Sequence, residues 1–302
     1  MQGGGRGHPT RHTAGRGDHR VSARRRAPDG ICSRHSAGAS RGLAGAAATT
    51  RFVYIRRHVQ AERGAELDRH PFLEYVERII IPHALDEAVG ALASHLARKA
   101  EWVGPIARQP KPASPFPRGV DDTFQLTSTA GGGGFGASTD RFFDLVEQVG
   151  RSLGTSIKGL AHLVVLGPNY DNPARAARLG AVAGVTVRQH DSALVDRLAE
   201  ADLVLAEGGY NTVNEICLAG AAAVFVPAPR GFDDQHQRVA ALAHRGVGLV
   251  VEPDETLTGA VQRIISLATD PQRLAAMRAA HVPIALGNDR AADLIADVAR
   301  RR

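Results

Sequence analysis

Beyond residue 124 the sequence alternates short apolar runs with amphipathic stretches, and that alternation restricts what the chain can fold into. FQLTST (124–129), HLVVLG (162–167), VTVRQ (185–189), DLVLAE (202–207), AAVFVPA (222–228) and GLVVE (248–252) read as strands. TDRFFDLVEQVGRSL (139–153), SALVDRLAEA (192–201), NTVNEICLAG (211–220) and DDQHQRVAALAHRG (233–246) read as helices, with further helices towards the C-terminus. Strands connected through helices run parallel, with right-handed crossovers and helices on both faces of the sheet. Runs that are apolar throughout suit strands buried on both faces. The expected fold class is therefore α/β, a doubly wound parallel sheet over residues 116–285.

Upstream the pattern is shorter. RFVYI (51–55), ERIIIPHA (77–84) and AEWVGPI (100–106) read as strands, and LDEAVGALASHLARKA (85–100) as a helix. QPKPASPFP (109–117) has four prolines in nine residues and reads as a linker. Residues 42–115 thus form a short N-terminal α/β part with its linker, and the helix of 286–302 is expected to pack back onto it. Residues 1–41 hold nine arginines against two aspartates, a charge of +7, which leaves −1 for the rest of a chain whose net charge is +6. This Arg/Gly-rich segment has too few large apolar side chains to offset its ordering entropy and is expected to be disordered. It lacks interleaved aromatics for base stacking, so a nucleic-acid partner is the less favoured alternative. The abrupt change of composition near Gly42 also fits a start other than the natural one.

Other classes are disfavoured. The longest apolar run, CLAGAAAVFVPA (217–228), is 12 residues, whereas a membrane helix needs about 20. Two cysteines, Cys32 and Cys217, make no disulfide framework. No apolar segment follows the N-terminal arginines, so no secretory signal is read and the expected location is cytoplasmic.

Two strand–turn–helix passages carry candidate chemistry. In TAGGGGFGAST (129–139), Gly131, Gly133 and Gly136 satisfy G-x-G-x-x-G after a strand and before a helix. Glycines let a backbone approach an anion closely, and Ser138 or Thr139 can cap the helix or add a hydroxyl. A Rossmann-like dinucleotide site expects an acidic residue about 20 positions later. Here Gly167-Pro168-Asn169 occupies that strand tip, and the nearest acid, Asp171, lies 35 residues past Gly136. No G-K-[ST] follows either, which leaves a diphosphate-type anion or a purely structural turn. In AEGGYNTVNEICLAG (206–220), Thr212 and Glu215 fit a capping box; alternatively Glu215 accepts hydrogen bonds from two neighbouring hydroxyls. Asp233 and Asp234 fit a helix N-terminus on dipole grounds. Asp121-Asp122 reads as a solvated pair or as part of a metal site.

The run ADLVLAEGGYNTVNEICLAGAAAVFVPAPRGFDDQHQRVAALAHRGVGLVVE (201–252) resembles the C-terminal half of GT-B glycosyltransferases. It is most similar to family 28, which includes the bacterial GlcNAc transferase acting on the lipid-linked peptidoglycan precursor. The resemblance covers about 116–290 and rests on the glycine loop, G-[GS]-x-x-T-x-x-E and a later D-Q. It implies that a Rossmann-like domain holds a nucleotide-sugar donor, usually UDP-linked, with no metal or resident cofactor. Gly131, Gly132, Gly133, Gly134, Gly136 and Ser138 would take the donor diphosphate. Gly208, Gly209 and Thr212 would line the phosphate and ribose region, and Glu215 would hold the ribose hydroxyls. His190-Asp191 would meet the base, and Asp234 and Gln235 the donor sugar.

The resemblance further implies displacement at the anomeric carbon, an acceptor still to be identified, and a location peripheral to the inner membrane at most. In GT-B enzymes the N-terminal half binds acceptor and supplies the base. Its opening strand and Gly-His loop are not recognisable here; GGGRGH (3–8) echoes the loop without a preceding strand, and His58, His70 and His83 are the available imidazoles. Three accounts fit: an altered or truncated transferase, a donor-binding subunit completed by a partner chain, or a UDP-sugar 2-epimerase.

Overall fold

The computed structural model describes residues 50–84, 92–111, 123–134, 136–231 and 233–301. The arginine-rich segment, Asp121-Asp122 and most of the proline-rich linker lie outside the described residues.

The larger sheet has six strands: β4 (Phe124–Thr129), β5 (Leu160–Val165), β6 (Val185–Arg188), β7 (Leu203–Ala206), β8 (Ala223–Phe225) and β9 (Gly248–Val250). All pairings are parallel and the spatial order is β6-β5-β4-β7-β8-β9. Numbered within this sheet, the order is 3-2-1-4-5-6, the doubly wound arrangement whose direction of winding reverses between β4 and β7. Period-two geometry sends alternate residues of one strand to opposite faces. Leu203 and Leu205 of β7 accordingly join the core that holds Phe142, Phe143, Val146 and Ile264, whereas Val204 and Ala206 join Val213, Ile216, Val239 and Phe225. The all-apolar strands of the sequence reflect these two cores.

The helices follow from local signals. Helix α3 (Ala137–Ser156) begins two residues before the sequence reading and runs three residues longer. Helix α4 (Pro173–Gly180) connects β5 to β6 and was not read from the sequence; its start signal is an Asn172 side chain that accepts from the Arg175 N–H at 3.0 Å, followed by proline at the first helical position. Helices α5 (Leu194–Glu200), α6 (Tyr210–Ala219) and α7 (Gln235–His244) follow β6, β7 and β8. Next come α8 (Leu257–Ala268), capped by Thr256, and α9 (Pro271–Ala279), capped by Asp270.

One polar pair interrupts the core under α3. His162 on β5, 2% exposed, lies with Nε2 2.8 Å from the Ser128 Oγ of β4, and its Nδ1 has no partner among the described residues.

The N-terminal part is a three-stranded parallel sheet of β1 (Phe52–Ile55), β2 (Val76–Ile81) and β3 (Ala100–Trp102), in that order. Helix α1 (Ala61–Leu67) and a 3-10 turn (Pro71–Glu74) link its first two strands. Of the helix expected over 85–100, residues 92 and 93 are irregular and one turn, α2 (Ser94–Ala97), is helical; residues 85–91 lie outside the described set. The last helix, α10 (Asn288–Arg300), buries Ala291 and Leu294 against Ile80 of β2. The chain crosses between the two parts at 103–111 and returns at 285–288. Gly104 and Gly287 meet there so closely that a Cβ on Gly287 would lie 2.6 Å from the Gly104 carbonyl oxygen.

Candidate functional site

In open α/β sheets ligands bind beyond the carboxyl ends of the strands, at the point where the winding reverses. Here that point lies between Thr129 and Ala206, the last residues of β4 and β7. Each is followed by one of the two passages identified in the sequence.

The β4 passage is shaped by its glycines. Gly131, Gly133 and Gly136 have φ of 61°, 68° and 55°, the left-handed region in which a side chain is strained. The loop rests on the tip of β5. Asn169 donates its N–H to the Gly132 carbonyl at 3.0 Å, and a Cβ on Gly133 would lie 2.4 Å from the Leu166 carbonyl oxygen. The Gly167-Pro168-Asn169 tip, where a dinucleotide site has its acid, thus supports the loop. Gly136 opens α3 with no side-chain cap, so the N–H groups of the first turn and the positive end of the helix dipole lie beside the loop.

The β7 passage differs from the capping box. Helix α6 starts at Tyr210 with Gly209 as its N-cap, which moves Thr212 inside the first turn. Glu215, one turn further on and 6% exposed, accepts from the Arg108 Nε at 3.0 Å. A capping role for the pair is therefore excluded by where the helix begins.

A cavity of about 200 Å³ opens between these passages, lined among others by Gly131, Gly132, Gly209, Thr212 and Gln235. Of the remaining candidates, Gly133 is buried beneath the loop, and Gly134, Gly136 and Ser138 lie at its far end towards α3. Gly208 packs on α7 and its carbonyl accepts from the Arg238 Nη1 at 2.8 Å. Asp234 caps α7, accepting from the Gln237 N–H at 2.9 Å, which matches the dipole reading. Gln235 is 4% exposed and accepts the Ala228 N–H at 3.0 Å. His190 is exposed at the end of edge strand β6, and buried Asp191 binds the Arg188 Nη1 at 2.6 Å and the Ala193 N–H at 2.8 Å. That turn is joined to the glycine loop's support, since the Gln189 Nε2 donates to the Gly167 and Tyr170 carbonyls at 2.7 and 2.8 Å.

The structure adds side chains that the sequence reading missed. Glu207, Arg230, Arg57, Tyr210, Asn211 and Asp233 complete the cavity wall. Glu207 immediately follows β7, and that position alone could have flagged it; Arg57 and Arg230 come from loops with no such signal. Burial pushes the Glu207 carboxyl above the usual range, while Arg230 and Thr139 pull it back. A second cavity of about 170 Å³ shares Arg57, Tyr210 and Asp233 and extends to Tyr54, His58 and Arg238. Among the three histidines, His58 faces this second cavity, and burial followed by the Arg238 charge holds its imidazole below its ordinary value. His83 is buried behind it and its Nε2 accepts the His58 N–H at 2.9 Å. His70 lies apart, its Nδ1 accepting the Phe72 N–H at 3.3 Å in the 3-10 turn.

Tyr210 joins the two parts of the chain. Its hydroxyl donates to the Pro82 carbonyl and accepts from the Ile106 N–H at 3.4 Å, and the Arg57 and Arg238 guanidiniums lie 5.7 and 5.9 Å from its ring centroid. Tyr210→Phe removes a buried partner from two backbone groups, so a loss of about 1–2 kcal/mol is expected, to be read by denaturant unfolding. An unchanged midpoint would show that this hydroxyl does not hold the parts together.

The chain was compared with known proteins on this footing. A family model for the glycosyltransferase family 28 C-terminal domain matches residues 132–296. The UDP-N-acetylglucosamine–N-acetylmuramyl-(pentapeptide) pyrophosphoryl-undecaprenol N-acetylglucosamine transferase of Chelativorans sp. (strain BNC1) is 30% identical over 219 residues, 71% of this chain and 56% of that protein. The chain spans about half the length of the curated relatives it matches. Among solved structures, Acinetobacter baumannii MurG superposes with a TM-score of 0.52 at 21% identity, covering 85% of this chain and 70% of that one. A Listeria monocytogenes protein assigned as a UDP-N-acetylglucosamine 2-epimerase gives 0.56 at 12% identity, covering 86% and 70%. These two likenesses are of fold, the GT-B arrangement of two α/β parts about a cleft. The chain belongs to glycosyltransferase family 28, and residues 132–296 are its C-terminal domain.

Proposed function

We propose that residues 116–285 bind a nucleoside-diphosphate sugar, of the UDP type, and that the protein transfers its hexosyl group to an acceptor without a bound metal or resident cofactor. The observation that carries this reading is the loop of three left-handed glycines at the winding reversal, opening onto the uncapped start of α3. Backbone N–H groups and a helix dipole there suit a diphosphate, including the charge that develops on it as the sugar leaves. Gly209 and Thr212 line the same cavity. Glu215 lies one turn further along α6, where its carboxylate would hold the ribose hydroxyls once the half-exposed Arg108 gives way. The relatives are named as transferases that use UDP-N-acetylglucosamine, which supports a UDP-linked donor.

Two alternatives predict different outcomes. A donor-binding subunit would bind UDP and require a partner for turnover; an epimerase would interconvert UDP-sugars without an acceptor. No described helix is long and apolar enough to cross a membrane.

Thermal unfolding with UDP, GDP, ADP and no nucleotide tests the reading. Saturation at about 100 times Kd stabilises a binder by about 2.7 kcal/mol, so UDP should raise the midpoint clearly. In Glu215→Ala the apparent UDP affinity is expected to fall at least tenfold, because a carboxylate accepting two hydroxyls is lost. Absence of stabilisation of the unaltered protein by any of these nucleotides would refute the donor site.

A further inference from the structure

Resting on the donor-site reading, we propose that Arg230 is the side chain that grips the terminal phosphate of the donor's diphosphate, and that Glu207 positions it there. The glycine loop and the start of α3 offer backbone N–H groups and the Ser138 hydroxyl, and the charged side chain of that turn, Asp140, is acidic, so they recognise an anion by shape and dipole. Arg230 brings a formal positive charge to the same cavity that Gly131 and Gly132 line, as does Arg57. A guanidinium is planar, permanently charged and able to make paired hydrogen bonds to phosphate.

The arrangement around it is built. Glu207 immediately follows β7, and its two carboxylate oxygens are divided between Thr139 of α3 and Arg230. Oε1 accepts from the Thr139 Oγ1 of α3 at 3.3 Å, and Oε2 from the Arg230 Nη2 at 2.5 Å. One carboxylate therefore joins Thr139 in the first turn of α3 to Arg230. From the other side, the Gln60 Nε2 donates to the Arg230 carbonyl at 3.1 Å, which docks the Arg230 loop on the N-terminal part. Both side chains of the ion pair are 4% exposed.

Folding alone does not account for such a pair. Taking two charges out of water costs about as much as their attraction returns, and apolar side chains of similar volume in the same place are often neutral or stabilising. The pair also lies at a cavity wall, where an incoming phosphate could share Arg230 with Glu207. The positive charge would then act chiefly on the phosphate that a diphosphate has and a monophosphate lacks. The inferred result is selection for nucleoside diphosphates over monophosphates, with Glu207 as a positioning residue that does not itself touch the ligand.

The test is calorimetric titration of the full chain with UDP, UMP and uridine. The unaltered protein is expected to bind UDP at least tenfold more tightly than UMP. Arg230→Gln should reduce that ratio severalfold, the remainder coming from the glycine loop and the helix dipole, and leave UMP and uridine within twofold of their original affinities. Because Arg230→Gln leaves Glu207 buried without its cation, the double variant Glu207→Leu/Arg230→Met provides a folded control in which both charges are replaced. It should unfold cooperatively, at a midpoint lowered by no more than the loss of the Thr139 hydroxyl's acceptor, and show the same loss of UDP preference. Retention of the UDP-over-UMP ratio in the double variant would overturn the role of Arg230. If the unaltered protein binds none of the three, the donor site itself is wrong, and that result is distinct from a retained ratio.

Discussion

Replacing Gly167 by alanine is expected to unseat the glycine loop and weaken UDP binding at least tenfold. Gly167 has φ of 97°, which costs any L side chain about 1–2 kcal/mol. A Cβ there would lie 2.4 Å from the Gly131 oxygen, 2.8 Å from the Gly132 carbonyl carbon and 2.8 Å from the Gly133 nitrogen. All three are backbone atoms, so no side-chain rotation relieves the contact and the loop itself must move. A destabilisation of about 3 kcal/mol follows, which lowers the melting midpoint by roughly 6–12 °C for a chain of this size. Gly154→Ala makes the comparison sharp. Gly154 lies within α3, and its nearest neighbour, the Ala183 oxygen, is 3.9 Å from the Cβ position. Alanine there should stabilise by about 0.5–1 kcal/mol. Equal melting points for the two variants would show that the loop–tip contact does not hold the site.

Acid should unfold the protein through His162. Complete burial holds this imidazole at about 3, well below its ordinary 6.5, so the folded state keeps it neutral. A depressed histidine favours folding above pH 6.5, and that advantage is lost as pH falls towards 3, because the unfolded chain takes up a proton that the native core refuses. The loss is about 1.4 kcal/mol per pH unit, or about 2 kcal/mol between pH 6.5 and pH 5. The double variant Ser128→Ala/His162→Leu removes both polar partners, so neither is left buried alone. Unfolding free energies measured by urea titration from pH 7.5 to 4 should then fall less steeply, by about one proton's worth. His58 and His281 are also held low by burial and act in the same direction in both proteins, so the difference between the two slopes isolates His162. Parallel slopes would mean that His162 charges without unfolding the core.

These features differ in how far the sequence announces them. The strands of the larger sheet were legible because burial on both faces leaves a one-dimensional mark, an apolar run of strand length. The glycine loop was legible for a related reason, since a left-handed φ at 131, 133 and 136 excludes most other residues. What escaped was set by distance or by competition. Helix α4 was overlooked although Asn172-Pro173 announces it, because its apolar residues are mostly small alanines. Thr212 and Glu215 had capping-box spacing, but the Gly-Gly turn ended earlier and α6 began at Tyr210. The partner of Glu215 lies 107 positions away at Arg108, and that of Glu207 is Arg230, 23 positions on. No local pattern encodes such meetings; they exist only once the sheet has placed its strand ends side by side.

The crossing at Gly104 and Gly287 has a mechanical consequence. Two chain segments in backbone contact tie the parts together at one place, and a rotation about that place disturbs the pair least, as covers turn on a spine. The C-terminal helix, seated on β2, travels with the N-terminal cover even though the chain reaches it last. Bonds that bridge the covers away from that spine, such as Gln60 to the Arg230 carbonyl, must part for the book to open.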